Sequence, residues 1–202
     1  MEIVTSWDDG AKEDVRIAEL LRKYELPGIF FIANVTNQLT EAEIRAIADD
    51  FELGGHTMSH PHDIKLLKPW EAEEDIRYNK DWLEDIGQKE LEWFCYPRGR
   101  YNGETIDAVK NCGFTKARTT IVNEITLGDD MFRIPTAIHA YRHRKEYRGR
   151  DWVHHAIQLY DLAKNTQNSY YHIWGHSWEI EQQGSWSELE RLLAHIYNDK
   201  NN

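Results

Sequence analysis

The chain has 202 residues, 41% of them hydrophobic, and a formal net charge of −11. That length fits one domain, residues 1–202, with a core of ordinary size, and the charge excludes general nucleic-acid binding. No run of about 18 apolar residues occurs, so no membrane span is expected. The N-terminus enters a strand-like run without a signal-type leader, which predicts a cytoplasmic protein. Two cysteines, Cys95 and Cys112, are too few for a disulfide framework and read as free buried thiols.

Residues 3–7 predict a first strand ending at Asp8-Asp9-Gly10. A helix is expected over 12–24, with Val15, Ala18 and Leu21 on one face and Ile17, Leu20 and Tyr24 widening it. Pro27-Gly28 then turns the chain into Ile29–Ile32, which has the apolar continuity of a buried parallel strand. Thr40 and Glu43 form a capping box for a helix at about 41–50. A short strand at 52–54 leads through Gly55 into His56-Thr57-Met58-Ser59-His60. Pro69 and Trp70 open a helix running to about Asp85, and Leu91–Tyr96 reads as a strand entering Pro97-Arg98-Gly99. A short helix near 104–111 precedes a candidate strand at Gly113-Phe114-Thr115. The stretch 123–150 is the least regular. Residues 152–164 predict a helix, Ser169–Trp174 a strand ending at Gly175-His176, and Ser187 with Glu190 a cap for the last helix, through about Tyr197. Alternating strands and helices make this an α/β chain, and the spacing suggests a distorted, incomplete (β/α) barrel, with a doubly wound open sheet as the competing topology.

In either topology the residues just past strand C-termini share one rim. Asp8, Asp9, His56, Arg98 and His176 all fall there. Adjacent carboxylates repel, so at least one needs a cation or donors to stay charged when buried. A divalent metal held by one Asp and two His, with water in its open positions, would meet that need and leave the other Asp free as a base. His56 and His60 stand four apart, a spacing that lets both rings converge on one ion if the segment forms a helical turn. Gly54-Gly55 would allow tight backbone approach at a pocket. His62 is expected to flank the site. The Pro97-Arg98-Gly99 loop can aim a backbone N–H at a developing oxyanion. His176 would sit at the rim, placed to protonate a leaving amine, while His172 lies deeper as a satisfied core histidine. The locally basic run His139–Arg150 reads as either a solvated face or a contact for phosphate or another anionic group. Eight tryptophans suit sugar faces, although most are expected to be packing residues.

Taken in order, these pieces resemble the polysaccharide deacetylases of the NodB-homology type, carbohydrate esterase family 4, over nearly the whole chain. Thr5-Ser6-Trp7-Asp8-Asp9-Gly10 is similar to the family's T-F-D-D-G first motif and His56-Thr57-x-x-His60 to its H-[ST]-x-x-H second. Tyr96-Pro97-Arg98-Gly99 is similar to the third, Asp151-Trp152 to the end of the fourth, and Ile173–His176 to the fifth. The resemblance implies removal of an N-acetyl group from an amino sugar, in a cell-envelope glycan or its precursor. Asp8 would be the general base and His176 the general acid. Asp9, His56 and His60 would hold a divalent metal, zinc first, with cobalt, nickel or iron(II) as the others. The Arg98 backbone N–H would help stabilise the oxyanion. Pro97, Gly99, Tyr101, Trp174 and Trp178 are the expected substrate contacts. Three departures stand out. Cys95 sits near the place of the family's usual Arg, so Arg133 becomes a candidate for orienting Asp8. Arg98 replaces an aromatic residue, and Arg148 stands where the fourth motif has a second Asp. Competing readings are a glycan-binding module on a degenerate barrel, a hydrolase of a non-sugar linear amide, and a non-haem iron oxygenase.

Overall fold

The computed structural model describes residues 1–35 and 38–201. Seven strands form one parallel sheet: β1 (Glu2–Asp9), β2 (Ile29–Ile32), β3 (Glu52–Gly55), β4 (Trp93–Cys95), β5 (Lys116–Arg118), β6 (Ile138–His139) and β7 (Tyr170–Gly175). Their spatial order is β5-β4-β3-β2-β1-β7-β6. Followed round, that order is sequential, with a gap between β5 and β6. Winding never reverses, which is the property of a barrel and not of a doubly wound sheet. Residues 131–137 lie across the gap. The Ile134 N–H donates to the Ala117 carbonyl at 3.0 Å, the Thr119 N–H to Ile134 at 2.8 Å, and the Ala137 N–H to His172 at 2.9 Å. The barrel is therefore distorted and incomplete, as the sequence suggested.

Among the described residues seven α-helices cover it: α1 (Asp14–Lys23), α2 (Glu41–Ala48), α3 (Pro69–Gly87), α4 (Gly103–Asn111), α5 (Trp152–Lys164), α6 (Ser177–Gln183) and α7 (Trp186–Lys200). Strand alternation sorts the core into two compartments. Val4, Ile29, Phe31, Trp93, Cys95, Ile134 and Tyr170 pack together as one cluster. Trp7, Phe30, Ile32, Phe94 and Ile173 pack instead with helix residues such as Leu21, Ile76 and Leu192. Period-two alternation puts the first set inside the barrel and the second under the helices. On β1 the inward series Val4, Ser6, Asp8 thus ends in a carboxylate at the rim.

The expected capping box of α2 is present: the Thr40 N–H donates to Glu43 Oε2 at 2.7 Å, and the Glu43 N–H to Thr40 Oγ1 at 3.3 Å. Three local expectations are corrected. Gly113-Phe114-Thr115 is the turn leaving α4, and the strand follows at Lys116–Arg118, because Phe114 is drawn into a cluster with Phe94. The last helix starts at Trp186, with Ser187 and Glu190 inside it; Glu190 instead receives Lys23 Nζ at 2.5 Å and the Tyr24 hydroxyl at 2.9 Å, tying α7 to α1. Strand β6 lies within the stretch read as irregular, since two residues are too few to show a period.

Candidate active site

Asp8 is almost fully buried at the end of β1, where Arg118 Nη2 lies 2.5 Å from both its carboxylate oxygens and Cys95 Sγ lies 3.6 Å away. Burial pushes the Asp8 pKa up, but the Arg118 guanidinium, with His56 and His176 behind it, more than reverses this and holds the group below the usual carboxylate range. Arg118 itself is wholly buried, with its guanidinium 4.6 Å from the Trp174 ring. Arg133 is not the partner of Asp8. It is on the surface, 3.5 Å from Asp130. The rule that strand ends converge would have found Arg118 had β5 been placed at 116–118.

Asp9 adopts φ 81°, a left-handed conformation that turns it away from its neighbour and out of the barrel interior. Its Oδ1 lies 3.5 Å from His56 Nε2 and 3.3 Å from His60 Nε2. The His56–His60 segment is a loop and not the helical turn expected from its spacing. Thr57 at φ 63° and His60 at φ 48° bend it instead, and the His60 N–H donates to Thr57 Oγ1 at 3.1 Å. Asp75 on α3 holds Ser59 from outside, through its N–H at 3.0 Å and its hydroxyl at 2.9 Å. Positive φ at two of three convergent residues is backbone strain concentrated at the rim. Gly54 and Gly55 do not face this pocket: a Cβ on Gly54 would meet Phe31 at 2.4 Å and one on Gly55 would meet Phe114 at 2.6 Å, so both are required by sheet packing.

Asp9, His56 and His60 fit a metal. Their ligand atoms lie within 4.8 Å of one another, and Asp9 Oδ1 is buried with no hydrogen-bond partner. His56 Nδ1 faces the Cys95 carbonyl at 2.7 Å, which sets the tautomer that frees Nε2. One carboxylate oxygen and two imidazole nitrogens are the donor set of an open catalytic site. Burial pushes the Asp9 carboxyl up, yet His56, His176 and the Trp178 N–H together carry it well below the usual range. His60 is pushed down to about 4, first by burial and then by His56, with Arg98 adding to the effect. A neutral imidazole is what a metal needs; burial pushes His56 down too, but Cys95, Asp9 and Asp8 carry it up, so a metal bound there would displace a proton. Asp8, His56 and Cys95 form a second convergent set, but Arg118 Nη2 already stands 2.8 Å from Cys95 Sγ, so that place holds a guanidinium. Burial raises the Cys95 pKa, keeping it a thiol.

His176, at the end of β7, places Nδ1 2.7 Å from Glu179 Oε2, and the same oxygen lies 2.9 Å from His139 Nε2. Burial pushes His176 down, but Glu179, Asp8 and Asp9 outweigh it and its pKa rises. Burial dominates at His139, which falls to about 4. Glu179 is pushed up by burial and then pulled to about 2 by the two imidazoles. His176 is therefore the imidazole of the trio that holds a proton more readily, and His139 the one that gives it up. Asp151 has no part in this. It caps α5 by accepting from the His154 N–H at 2.7 Å and lies 3.3 Å from Arg191. Glu179 was legible in principle, as the residue three beyond His176 in the first turn of the short helix that His176 precedes.

The family model for polysaccharide deacetylases matches residues 2–117, more than half of the chain. The chain belongs to the polysaccharide deacetylase family. A Bacillus subtilis (strain 168) relative, the candidate polysaccharide deacetylase YxkH, is 24% identical over 124 residues, 58% of this chain and 44% of its own length. The chain thus spans less than half of that curated relative. Among solved structures, the Streptococcus pyogenes deacetylase PplD in complex with acetate matches at TM-score 0.61 and 18% identity, over 65% of this chain and 62% of the other. The Xyl-CE4 domain of a multidomain xylanase, from the hindgut metagenome of Trinervitermes trinervoides, matches at 0.68 and 12%, over 98% and 84%. BA3943 of Bacillus anthracis, a CE4 family pseudoenzyme, matches at 0.63 and 13%, over 98% and 61%. At these identities the structural likeness speaks for the fold.

In this chain the convergent residues line one cavity of about 380 Å³, joined by Arg98, Thr120, Arg144 and Trp174. Trp174 is buried and stacks on His139 with ring centroids 3.8 Å apart, while Trp178 is partly exposed and donates its N–H to Asp9 Oδ2 at 2.9 Å. The other expected substrate contacts serve the loop itself. Pro97 is buried, and Tyr101 stacks on Tyr96 at 4.5 Å. A Cβ on Gly99 (φ 65°) would lie 2.1 Å from Thr120 Oγ1, so only glycine lets this loop close on Thr120. His62 flanks the site, 3.3 Å from Arg100 Nη1. Two cations of the basic run are paired: Arg142 forms a fork with Glu188, and Arg144 lies 3.2 Å from Glu146. His139 and Arg144 are its residues on the cavity wall. Both cysteines are free and buried, and no described helix is long and apolar enough to cross a membrane.

Proposed function

We propose that this protein is a metal-dependent hydrolase that removes N-acetyl groups from an amino sugar of a cell-envelope glycan or its precursor. One observation carries the reading: a buried carboxylate, a three-donor metal set and a histidine held by a carboxylate face a single cavity. Asp9, His56 and His60 would hold the ion, zinc first, and when bound it supplies Lewis acidity toward the acetyl carbonyl and a more acidic water.

The chain's own residues supply the rest. Asp8 is kept ionised by Arg118, and its carboxylate oxygens retain lone pairs for a proton from water. His176 is held by Glu179 through Nδ1, so Nε2–H is the proton available to the departing amide nitrogen. An amide has a poor leaving group, and without that proton the C–N bond does not break. The backbone N–H of Arg98 is the proposed donor to the developing oxyanion, on a loop held by Gly99 against Thr120. Trp174 and Trp178 offer apolar walls suited to a sugar face. The fold alone does not decide activity, as a pseudoenzyme shares it; the reading rests on the proposed base, donor set and acid standing at one cavity.

The test is acetate release from acetylated amino sugars and their polymers. Activity should vanish with a chelator and return with zinc or cobalt. Activity unaffected by complete metal removal, or no acetate from any acetamido sugar by metal-loaded protein, would overturn the reading.

A further inference from the structure

Three arginines stand at the proposed reaction centre, and they are not equivalent. Arg118 is engaged by Asp8, and Arg144 by Glu146, with its Nη2 also donating to the Thr120 carbonyl at 3.3 Å. Arg98 lines the same cavity and, among the described residues, has no carboxylate within ion-pair distance. The cavity's own carboxylates are not waiting for it. Asp8 has Arg118, Glu179 has two imidazoles, and Asp9 faces His56, His60 and the Trp178 N–H.

The backbone adds a second observation. Arg98 sits at φ 57°, in the left-handed region that glycine or asparagine occupies with least strain. A long charged side chain stands there against local preference, on a loop that the Gly99–Thr120 contact holds in place. A guanidinium is the side chain that recognises phosphate or carboxylate through paired N–H donors. Arg144, beside Thr120 and with its guanidinium 5.9 Å from the Trp174 ring, widens the same positive wall. The chain as a whole carries net charge −11, so attraction for an anion is local to this wall.

We propose that the cavity selects an acetamido sugar that carries a negative charge, with Arg98 as the principal anion-binding residue and Arg144 as the second. This rests on the deacetylase reading for the acetamido group, while the anion site stands on the arginines. A cavity of about 380 Å³ is of the size that takes one sugar-sized ligand.

The test uses metal-loaded full-length protein and calorimetric titration with four probes: N-acetylglucosamine, its 1-phosphate, its 6-phosphate and N-acetylmuramic acid. At least one acidic sugar should bind about tenfold or more tighter than the neutral one. Arg98→Gln should abolish that preference by lowering affinity for the acidic sugar more than for the neutral one. Arg98→Asn, which suits the left-handed backbone, guards against loop distortion and should do the same. Metal content is measured in each variant, because phosphate can also bind a metal directly. Equal affinity for neutral and acidic sugars, a preference that survives both substitutions with metal retained, or no binding of any probe overturns the proposal. Acetate release, measured separately, tells the two readings apart. Arg98-dependent acid binding without acetate release removes deacetylation only. Acetate release at equal KM from neutral and acidic sugars removes the anion site only.

Discussion

The barrel has a cavity at each end, and they are similar in size: about 380 Å³ at the C-terminal rim and about 330 Å³ at the N-terminal end. The N-terminal cavity is lined by residues that precede or open strands, including Pro27, Gly28, Phe51, Glu52, Leu91 and Glu92. Its charges are side chains on turns and at the start of β3, and no histidine lines it. At the C-terminal rim, parallel strands aim their last side chains at a common point, and each buried charge has a specific partner. Volume therefore does not distinguish the two ends. Convergence does, because groups held close in a poorly solvated place alter one another's protonation.

The largest expected effect lies in the Asp8–Arg118 pair. Asp8→Asn should lower turnover by about 10²–10⁴-fold with bound metal retained, as judged by steady-state kinetics beside metal analysis. Near-normal turnover would remove Asp8 as the base. Arg118→Met should destabilise the fold by about 3–5 kcal/mol in urea unfolding, since it strands a buried carboxylate. The Asp8→Asn/Arg118→Met double variant should be less unstable than the sum of the singles. The pH dependence has a definite sign. With Arg118 present, the folded pKa of Asp8 is depressed, so its contribution is complete above the unfolded value and fades as pH falls through the folded one. In Arg118→Met the largest effect opposing burial is gone, and the acid limb of activity moves to higher pH.

A smaller effect is expected at Glu179. His176 has a raised pKa with Glu179 among its causes, and it must be protonated to act. Activity is lost as pH rises through that pKa, so Glu179→Gln should shift the alkaline limb of kcat/KM to lower pH and reduce kcat at neutral pH. An unmoved alkaline limb would show that Glu179 does not govern the acid. The smallest effect belongs to the opposite cavity. Burial raises the Glu52 pKa, so its charge is not a stabilising one. Glu52→Gln should leave kcat/KM unchanged and stability within about 0.5 kcal/mol. A marked loss of activity would mean that the two ends differ less than their chemistry suggests.

Much of this molecule was legible in one dimension. Apolar runs at Ile29–Ile32 and Tyr170–Trp174, the Thr40/Glu43 cap, and the placement of Asp8, Asp9, His56, Arg98 and His176 after strands follow from local pattern and the rule that parallel strand ends share a rim. Those features depend on neighbours a few residues apart. What the sequence could not supply are pairings across long separations: Arg118 with Asp8, Glu179 shared by His139 and His176, and the loop bend that brings His60 to Asp9 without a helix. Nothing in the local composition around Arg118 distinguishes it from Arg133. Only closure of the barrel buries one beside a carboxylate and leaves the other in water, because burial and ion pairing are set by distances that the chain acquires once its strands are registered.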